Sequence, residues 1–163
     1  MTTATPESHG GNMGKVQASA EGLVHAPAEV VYGYLANMRE HHPKFLPPAF
    51  SGFEVESGGV GAGTVVSFNL SAGGRTRRLR NEIAEPQPGH VLTESDTSSS
   101  AVTTFTVTPA DDNCTVRIAS EWNGAGGIGG FFERTFAPRV MRGIYADQLS
   151  RLDAYAAEQL GRS

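Results

Sequence analysis

Cysteine, tryptophan and charged residues are all scarce in this chain of 163 residues. The single cysteine, Cys114, excludes intrachain disulfide bonds and cysteine-rich zinc sites. Charged side chains make up 18% of the residues, below the usual value of about 25%. The formal net charge of −4 argues against a dedicated nucleic-acid-binding protein, because such proteins usually carry a surplus of basic residues.

Long apolar runs are missing as well. None approaches the roughly 20 residues that a membrane-spanning helix needs, so we expect no membrane span. The first residues lack the apolar core of a signal peptide, and we therefore expect a cytoplasmic protein. Residues 1–14 are rich in Gly, Ser, Thr and Pro, which is typical of a disordered tail. The chain length and an apolar content of 39% predict one compact domain over residues 15–160.

Helical patterns flank the middle of the chain. An alternating strand pattern begins near Lys15, and Ala26-Pro27-Ala28-Glu29 then opens a helix with proline near its first turn. His41-His42-Pro43 ends that helix. A long C-terminal helix carries one apolar stripe, and Pro138 should start or kink it. The stripe consists of Ala137, Met141, Ile144, Tyr145, Gln148, Leu149, Leu152, Tyr155 and Ala156.

Between the helices, residues 50–122 alternate with period two and are broken by three turn clusters, which predicts an antiparallel meander. A self-consistent set of pairings places Val55 opposite Val66, Ile83 opposite Leu92, and Val107 opposite Cys114. Each pairing gives one largely apolar face. The long C-terminal helix is the element large enough to cover that face.

Four polar residues fall on the predicted inner face, namely Arg77, Asn81, Glu94 and Asp96. Inward polar groups are unfavourable unless they pair with each other or contact water. They therefore indicate either a cavity or a structural hydrogen bond between Asn81 and Glu94 near a rim. Arg78 and Arg80 share the outer face, where a solvated position is the favoured interpretation.

Several motifs suggest a nucleotide site, a metal site or a reactive cysteine, but their sequence context does not support these functions. Gly124 to Gly129 matches the glycine pattern of a dinucleotide site, but no parallel strand can follow it. His41 and His42 are adjacent and cannot both face one metal ion from a helix end. Cys114 is interpreted as a small apolar core residue. We therefore expect no cofactor and no metal ion.

The order of these elements resembles the helix-grip fold of the START/polyketide cyclase (SRPBCC) superfamily, most nearly its polyketide cyclase/dehydrase and coenzyme-Q-binding-like branch. The resemblance rests on Val24 to Tyr32, on Asn81-Glu82-Ile83 before Pro88-Gly89, and on Gly129 to Arg134 with the helix after Pro138. It implies an α+β fold. A curved antiparallel sheet of six to seven strands would wrap around the C-terminal helix, with two short helices after the first strand.

The resemblance also implies a cavity for a hydrophobic ligand between the sheet and the C-terminal helix. The residues expected to line it are Phe68, Leu79, Asn81, Glu94, Phe105, Trp122, Phe132, Arg134, Met141 and Tyr145. The leading hypothesis is a binding protein for a lipid, a quinone or an aromatic polyketide-like molecule, with a homodimer left open.

Two other classes of function remain open beside the binding protein. One is a polyketide cyclase or dehydratase in which Glu94 is the general base and Arg77 or Tyr145 stabilises an enolate. The other is a protein that contacts ribosomes or a chaperone through Arg78 and Arg80.

The glycine-rich segment Gly124 to Gly130 has two interpretations of equal weight. Five glycines in seven residues lose much backbone entropy when they are fixed, which favours a mobile gate at the mouth of the cavity. The other interpretation is a plain surface connection.

Overall fold

A curved seven-stranded antiparallel sheet dominates the computed structural model, which describes residues 15–123 and 138–161. The strands are β1 (Lys15–Val24), β2 (Phe50–Ser57), β3 (Val65–Ala72), β4 (Arg75–Gln87), β5 (Val91–Asp96), β6 (Val102–Ala110) and β7 (Asn113–Asn123). Strands β2 to β7 form a meander, and β1 pairs with β7 at the far edge. The two expectations for residues 1–14 and 124–130 lie outside the described residues.

Two short helices follow β1, as expected. Helix α1 covers Ala28–Ala36 and begins after Pro27, with Glu29 in its first turn near the positive end of the helix dipole. A 3-10 helix covers His42–Phe45. Within the described part of the chain, no helix is long and apolar enough to cross a membrane.

The long helix α2 covers Pro138–Gly161 and packs against β1 and the 3-10 helix. Its buried residues are Met141, Tyr145, Gln148, Leu149, Leu152 and Ala156, all members of the predicted stripe. Ile144 and Tyr155 are partly buried against the core, and Ala137 lies outside the described residues. The helix-grip architecture is thus confirmed.

The predicted strand registers are right for one hairpin and wrong for two. Val55 does pair with Val66. Ile83, however, pairs with Glu94, because β4 continues to Gln87 and the ladder is irregular near its end. The pairing is thus shifted by two residues here, and it is shifted by two residues in the third hairpin as well. A shift of two leaves every side chain on the predicted face.

The third hairpin, which joins β6 to β7, departs from the predicted register because its turn is tighter than expected. Val107 pairs with Val116, and Ala110 pairs with Asn113 across only two residues. Asp111 occupies the left-handed region at φ 56°, which lets a two-residue turn close the hairpin. Residues 109 and 110 therefore belong to β6.

The core fills the space between the inner face of the sheet, α1 and α2. Leu92, Ile118 and Leu152 have no exposed surface. Cys114 is buried in the same cluster, and burial raises the pKa of its thiol to about 11. It therefore remains a neutral thiol and packs as a small apolar side chain.

The loop between β2 and β3 fixes the end of α1. Met38 N–H donates to the Gly59 carbonyl at 2.8 Å, and Gly61 N–H donates to the Ala36 carbonyl at 3.0 Å. The Glu85 carboxylate accepts hydrogen bonds from the Tyr32 hydroxyl and the Ala62 N–H, both at 2.7 Å. These bonds hold the end of α1 in place, and the 3-10 helix follows it along the chain.

Candidate functional site

A cavity lies between the inner face of the sheet, the 3-10 helix and α2. Its volume is about 710 Å³, including the part that opens to solvent. Eight of the ten residues expected to line a cavity lie in its wall, namely Phe68, Leu79, Asn81, Glu94, Phe105, Trp122, Met141 and Tyr145. The other two, Phe132 and Arg134, lie outside the described residues.

Aromatic rings form much of the apolar wall. Phe53 and Phe68 are nearly parallel, at 15° and 6.2 Å between ring centroids, and Phe50 tilts against Phe68 at 5.5 Å. His42 stacks on Phe53 at 6.3 Å and meets Phe105 edge-on at 5.7 Å. The wall therefore offers ring faces and edges, the surfaces against which another ring packs well.

A polar cluster interrupts this wall around Glu94. Asn81 Nδ2 donates to Glu94 Oε2 at 3.5 Å, and His42 Nε2 lies 3.7 Å from Glu94 Oε1. The cavity and the Asn81–Glu94 hydrogen bond, considered as alternatives from the sequence, thus occur together. All three side chains are at least nine-tenths buried.

Burial keeps His42 neutral. It lowers the pKa of the imidazole to about 4, although the hydrogen bond to Leu35 acts in the opposite direction. Nδ1 lies 2.8 Å from the Leu35 carbonyl oxygen, which can only accept, so Nδ1 carries the proton. Nε2 therefore presents a lone pair to Glu94. The 3.7 Å contact would be an ion pair only with a charged imidazole.

Burial also changes Glu94. It raises the pKa of this carboxyl to about 7, while the hydrogen bond from Asn81 lowers it. A carboxyl with a pKa near neutrality can both take up and release a proton under physiological conditions. Glu94 is therefore the group in the wall best suited to proton transfer.

A chain of hydroxyl groups in the cavity wall links α2 to the sheet. The Tyr145 hydroxyl hydrogen-bonds with Ser120 Oγ, which lies 2.6 Å from Thr103 Oγ1. Burial raises the pKa of Tyr145, the two hydroxyl partners lower it, and the charge of Glu94 raises it further. Tyr145 therefore stays a neutral phenol that can donate a hydrogen bond.

Asp96 lies in the same wall, two residues after Glu94 on β5. Its carboxylate accepts hydrogen bonds from Ser98 N and Ser98 Oγ, both at 3.3 Å, and from Ser99 Oγ at 2.7 Å. Arg77 is half-buried and donates to Ser98 Oγ at 3.3 Å. Arg77 does not belong to the described cavity wall, whereas Tyr145 does.

The sequence did not single out all of the wall. In the sequence, His42 was interpreted only as part of the end of a helix. Its burial results from tertiary packing, which no periodic pattern reveals. Phe53 could have been predicted as a wall residue, because its predicted pairing placed it beside Phe68 on the inner face. In residues 15–123 and 138–161, no three His, Cys, Asp or Glu side chains are grouped so that they could hold a metal ion.

The outer face carries the arginines considered for a ribosome or chaperone contact. Arg78 Nη2 lies 3.2 Å from Glu54, and Arg80 Nε lies 2.5 Å from Glu56. All four side chains are substantially exposed. Their charges are therefore largely balanced by neighbours on β2.

Comparison with known proteins identifies a family whose model matches this chain. The model of the family described as polyketide cyclase / dehydrase and lipid transport matches residues 13–157. A curated relative, pathogenesis-related protein 2 from Petroselinum crispum, is 30% identical over 115 residues, which cover 64% of this chain and 73% of the relative.

Solved structures share the architecture. The solution structure of the KanY protein is 34% identical, with a TM-score of 0.78 over 89% of this chain and 99% of that one. The Zhui aromatase/cyclase from Streptomyces sp. R1128 is 16% identical, with a TM-score of 0.69 over 90% and 96%. Norcoclaurine synthase from Thalictrum flavum, in complex with dopamine and hydroxybenzaldehyde, is 18% identical, with a TM-score of 0.67 over 88% and 87%. At these identities the last two show the fold alone.

Proposed function

Because the chain belongs to the polyketide cyclase / dehydrase and lipid transport family, we propose that its cavity binds an apolar small molecule that contains at least one ring. The family and the fold neighbours fit either a hydrophobic-ligand-binding protein or a polyketide-cyclase-like protein. The observation that carries the proposal is the aromatic wall of this cavity. Small-molecule sites are typically concave and lined mainly by apolar and aromatic side chains, with a few polar groups among them.

The shape of the wall favours a flat ligand. Phe53 and Phe68 are nearly parallel, and Phe105 and Trp122 add aromatic surface from β6 and β7. A planar ring gains more contact area against such ring surfaces than a flexible chain, and it loses less conformational freedom on binding. The eight wall residues named above are the proposed ligand contacts.

Binding can be tested with a neutral fluorescent probe, N-phenylnaphthylamine. We expect its emission to rise when it enters the cavity and to fall when an unlabelled ring compound displaces it. Ala101→Phe should reduce binding, because Ala101 lies in the cavity wall. The control is Ala84→Phe, since Ala84 lies on the exposed face of β4. No rise in emission with folded protein, or equal losses in both variants, would contradict the proposal.

A second candidate function is supported by Glu94 itself. A carboxyl group with a pKa of about 7 inside a ring-lined cavity is suited to remove a proton from a carbon between two carbonyl groups. That step begins the cyclisation or dehydration of a polyketide-like substrate. The Tyr145 hydroxyl lies in the same wall and would donate a hydrogen bond to the resulting enolate.

Glu94→Gln separates catalysis from binding. The amide keeps the shape of the side chain but cannot accept the proton at neutral pH. In the enzyme hypothesis, turnover of a polyketide-like substrate is lost while probe binding remains. Full turnover in this variant would remove Glu94 from the proposed role.

A further inference from the structure

The charged groups in the described part of the cavity wall are unbalanced. Glu94 and Asp96 both lie in its wall, and the described wall contains neither lysine nor arginine. His42 is the one titratable base beside Glu94 in that wall, and burial keeps it neutral. The Glu94 carboxylate, when it forms, therefore has no cation beside it among the described wall residues.

The hydrogen-bonding groups around Glu94 are unbalanced in the same sense. His42 Nε2 offers a lone pair toward Glu94, because its Nδ1 proton is committed to the Leu35 carbonyl. Asn81 Oδ1 is buried without a hydrogen-bond partner, and Asn81 is only 6% exposed. A buried acceptor that lacks a donor costs about 1–3 kcal/mol. His42 Nε2, Asn81 Oδ1 and the Glu94 carboxylate are thus three acceptors in one part of the wall, and Asn81 Nδ2 is the donor that contacts Glu94.

We propose that the polar end of the cavity receives the ammonium group of a ring-bearing amine, with Glu94 as its counter-ion. This inference rests on the proposed binding function and names the polar group of the ligand. An ammonium has three N–H donors and no acceptor, so it complements a cluster of acceptors. The aromatic wall supplies ring faces that attract a cation within about 6 Å.

Other ligand groups complement the cluster less well. A carboxylate would place a third negative group beside Glu94 and Asp96, where like charges repel in a poorly solvated space. A neutral hydroxyl could donate one hydrogen bond, but it would leave the charge of Glu94 unbalanced. The same ring carrying an amine should therefore bind more tightly than the ring carrying an alcohol or an acid.

The proton on Glu94 makes this selection depend on pH. The titratable groups that face Glu94 are His42 from the 3-10 helix, Asp96 from β5 and Tyr145 from α2, while Asn81 is uncharged. His42 and Tyr145 are neutral around pH 7, so Glu94 is the group that changes charge there. Amine binding requires ionised Glu94, and its affinity should fall by up to about tenfold for each pH unit below about 7.

The experiment compares naphthylmethylamine, naphthylmethanol and naphthoate by calorimetry at about pH 6 and about pH 8. At the higher pH we expect the amine to bind about tenfold more tightly than the alcohol, and the acid to bind most weakly. At the lower pH the advantage of the amine should shrink. Glu94→Gln should remove both the advantage and its pH dependence. Glu82→Gln, which removes the same charge from the exposed side of β4, should keep both.

The outcomes separate this inference from the proposed function. If the alcohol binds in the cavity as tightly as the amine at both pH values, the inference is wrong and the proposed function stands. If Ala101→Phe leaves the binding of all three probes unchanged, or if none binds, the proposed function itself fails. The wild-type pH profile tests the inference even if Glu94→Gln does not fold.

Discussion

Glu94 and His42 face each other across 3.7 Å in the cavity wall, and burial shifts both toward their neutral forms. The same physical cause raises the pKa of the acid and lowers that of the base. The two shifts have opposite consequences for stability. Glu94 makes the folded state bind protons more strongly than the unfolded chain, whereas His42 makes it bind them less strongly.

For Glu94, stability should fall as the pH rises. The carboxyl has a pKa of 4.5 in the unfolded chain and about 7 in the folded state, so the folded state holds the extra proton between these values. Its contribution to stability is lost across that window, by about 3 kcal/mol. Glu94→Gln should become more stable relative to the wild type as the pH rises from about 4.5 to about 7. Urea unfolding at several pH values measures this, and a constant difference would contradict it.

For His42, stability should fall as the pH drops. The imidazole has a pKa of 6.5 in the unfolded chain and about 4 in the folded state, so the unfolded chain takes up the extra proton between these values. Full stability is present above about pH 6.5 and is lost toward about pH 4. His42→Gln should reduce this loss of stability at acid pH, although the loss of ring packing lowers the stability of the variant at every pH. The slope is therefore the quantity to compare.

Sequence reasoning succeeded where a repeat in the pattern carried the information. The period-two pattern located the strands, and the 3.6-residue pattern located the buried stripe of α2 that contains Tyr145 and Leu152. The pairing error at Ile83 did no harm to the assignment of faces, because a shift of two residues preserves the alternation. The polar residues Asn81 and Glu94 on the inner face were the signal for the cavity.

The remaining features could not be predicted because they depend on tertiary contacts. His42 enters the wall through a four-residue 3-10 helix, which is too short to show a periodicity. Its tautomer depends on the Leu35 carbonyl, a backbone group that the sequence does not identify as a partner. The register at Gln87 depends on a strand irregularity beside Pro86, which local turn rules do not specify.

The core at α2 should be sensitive to truncation. Leu152 has no exposed surface, and Leu152→Ala would leave a cavity between α2 and the sheet. We expect a loss of about 2–5 kcal/mol in the free energy of unfolding. Leu23→Ala removes the same atoms from a side chain that is 50% exposed, and it should cost less than about 1 kcal/mol. Urea denaturation of both variants gives the comparison, and similar losses would contradict the assigned core.

Two glycines should respond oppositely to alanine. Gly61 has φ +70°, and a Cβ there would lie 2.2 Å from Glu85 Oε1. Glu85 cannot move away without losing its hydrogen bonds to Tyr32 and Ala62, so Gly61→Ala should cost about 1–3 kcal/mol. Gly33 lies in α1 with open space around it, and Gly33→Ala should add about 0.5–1 kcal/mol. Thermal unfolding of the two variants tests both signs.

Tyr145→Phe should distinguish a binding cavity from a catalytic one. The variant keeps the ring in the wall and removes one hydroxyl, while Ser120 keeps its hydrogen bond with Thr103. We therefore expect a stability loss of only about 1 kcal/mol and nearly unchanged binding of a neutral ring probe. If the enolate mechanism operates, turnover should fall by about 10²–10³-fold, because a donor to the developing oxyanion is lost.

The matched control for Tyr145→Phe is Tyr34→Phe. Tyr34 packs its ring against His41 and Tyr155, and none of these three residues belongs to the described cavity wall. The Tyr34→Phe substitution should affect neither probe binding nor turnover. A loss of probe binding in Tyr145→Phe comparable to a loss of turnover would mean that the hydroxyl holds the ligand in its ground state. An unchanged turnover would exclude it from the reaction, because a hydrogen bond that forms only to the enolate must slow the reaction when it is removed.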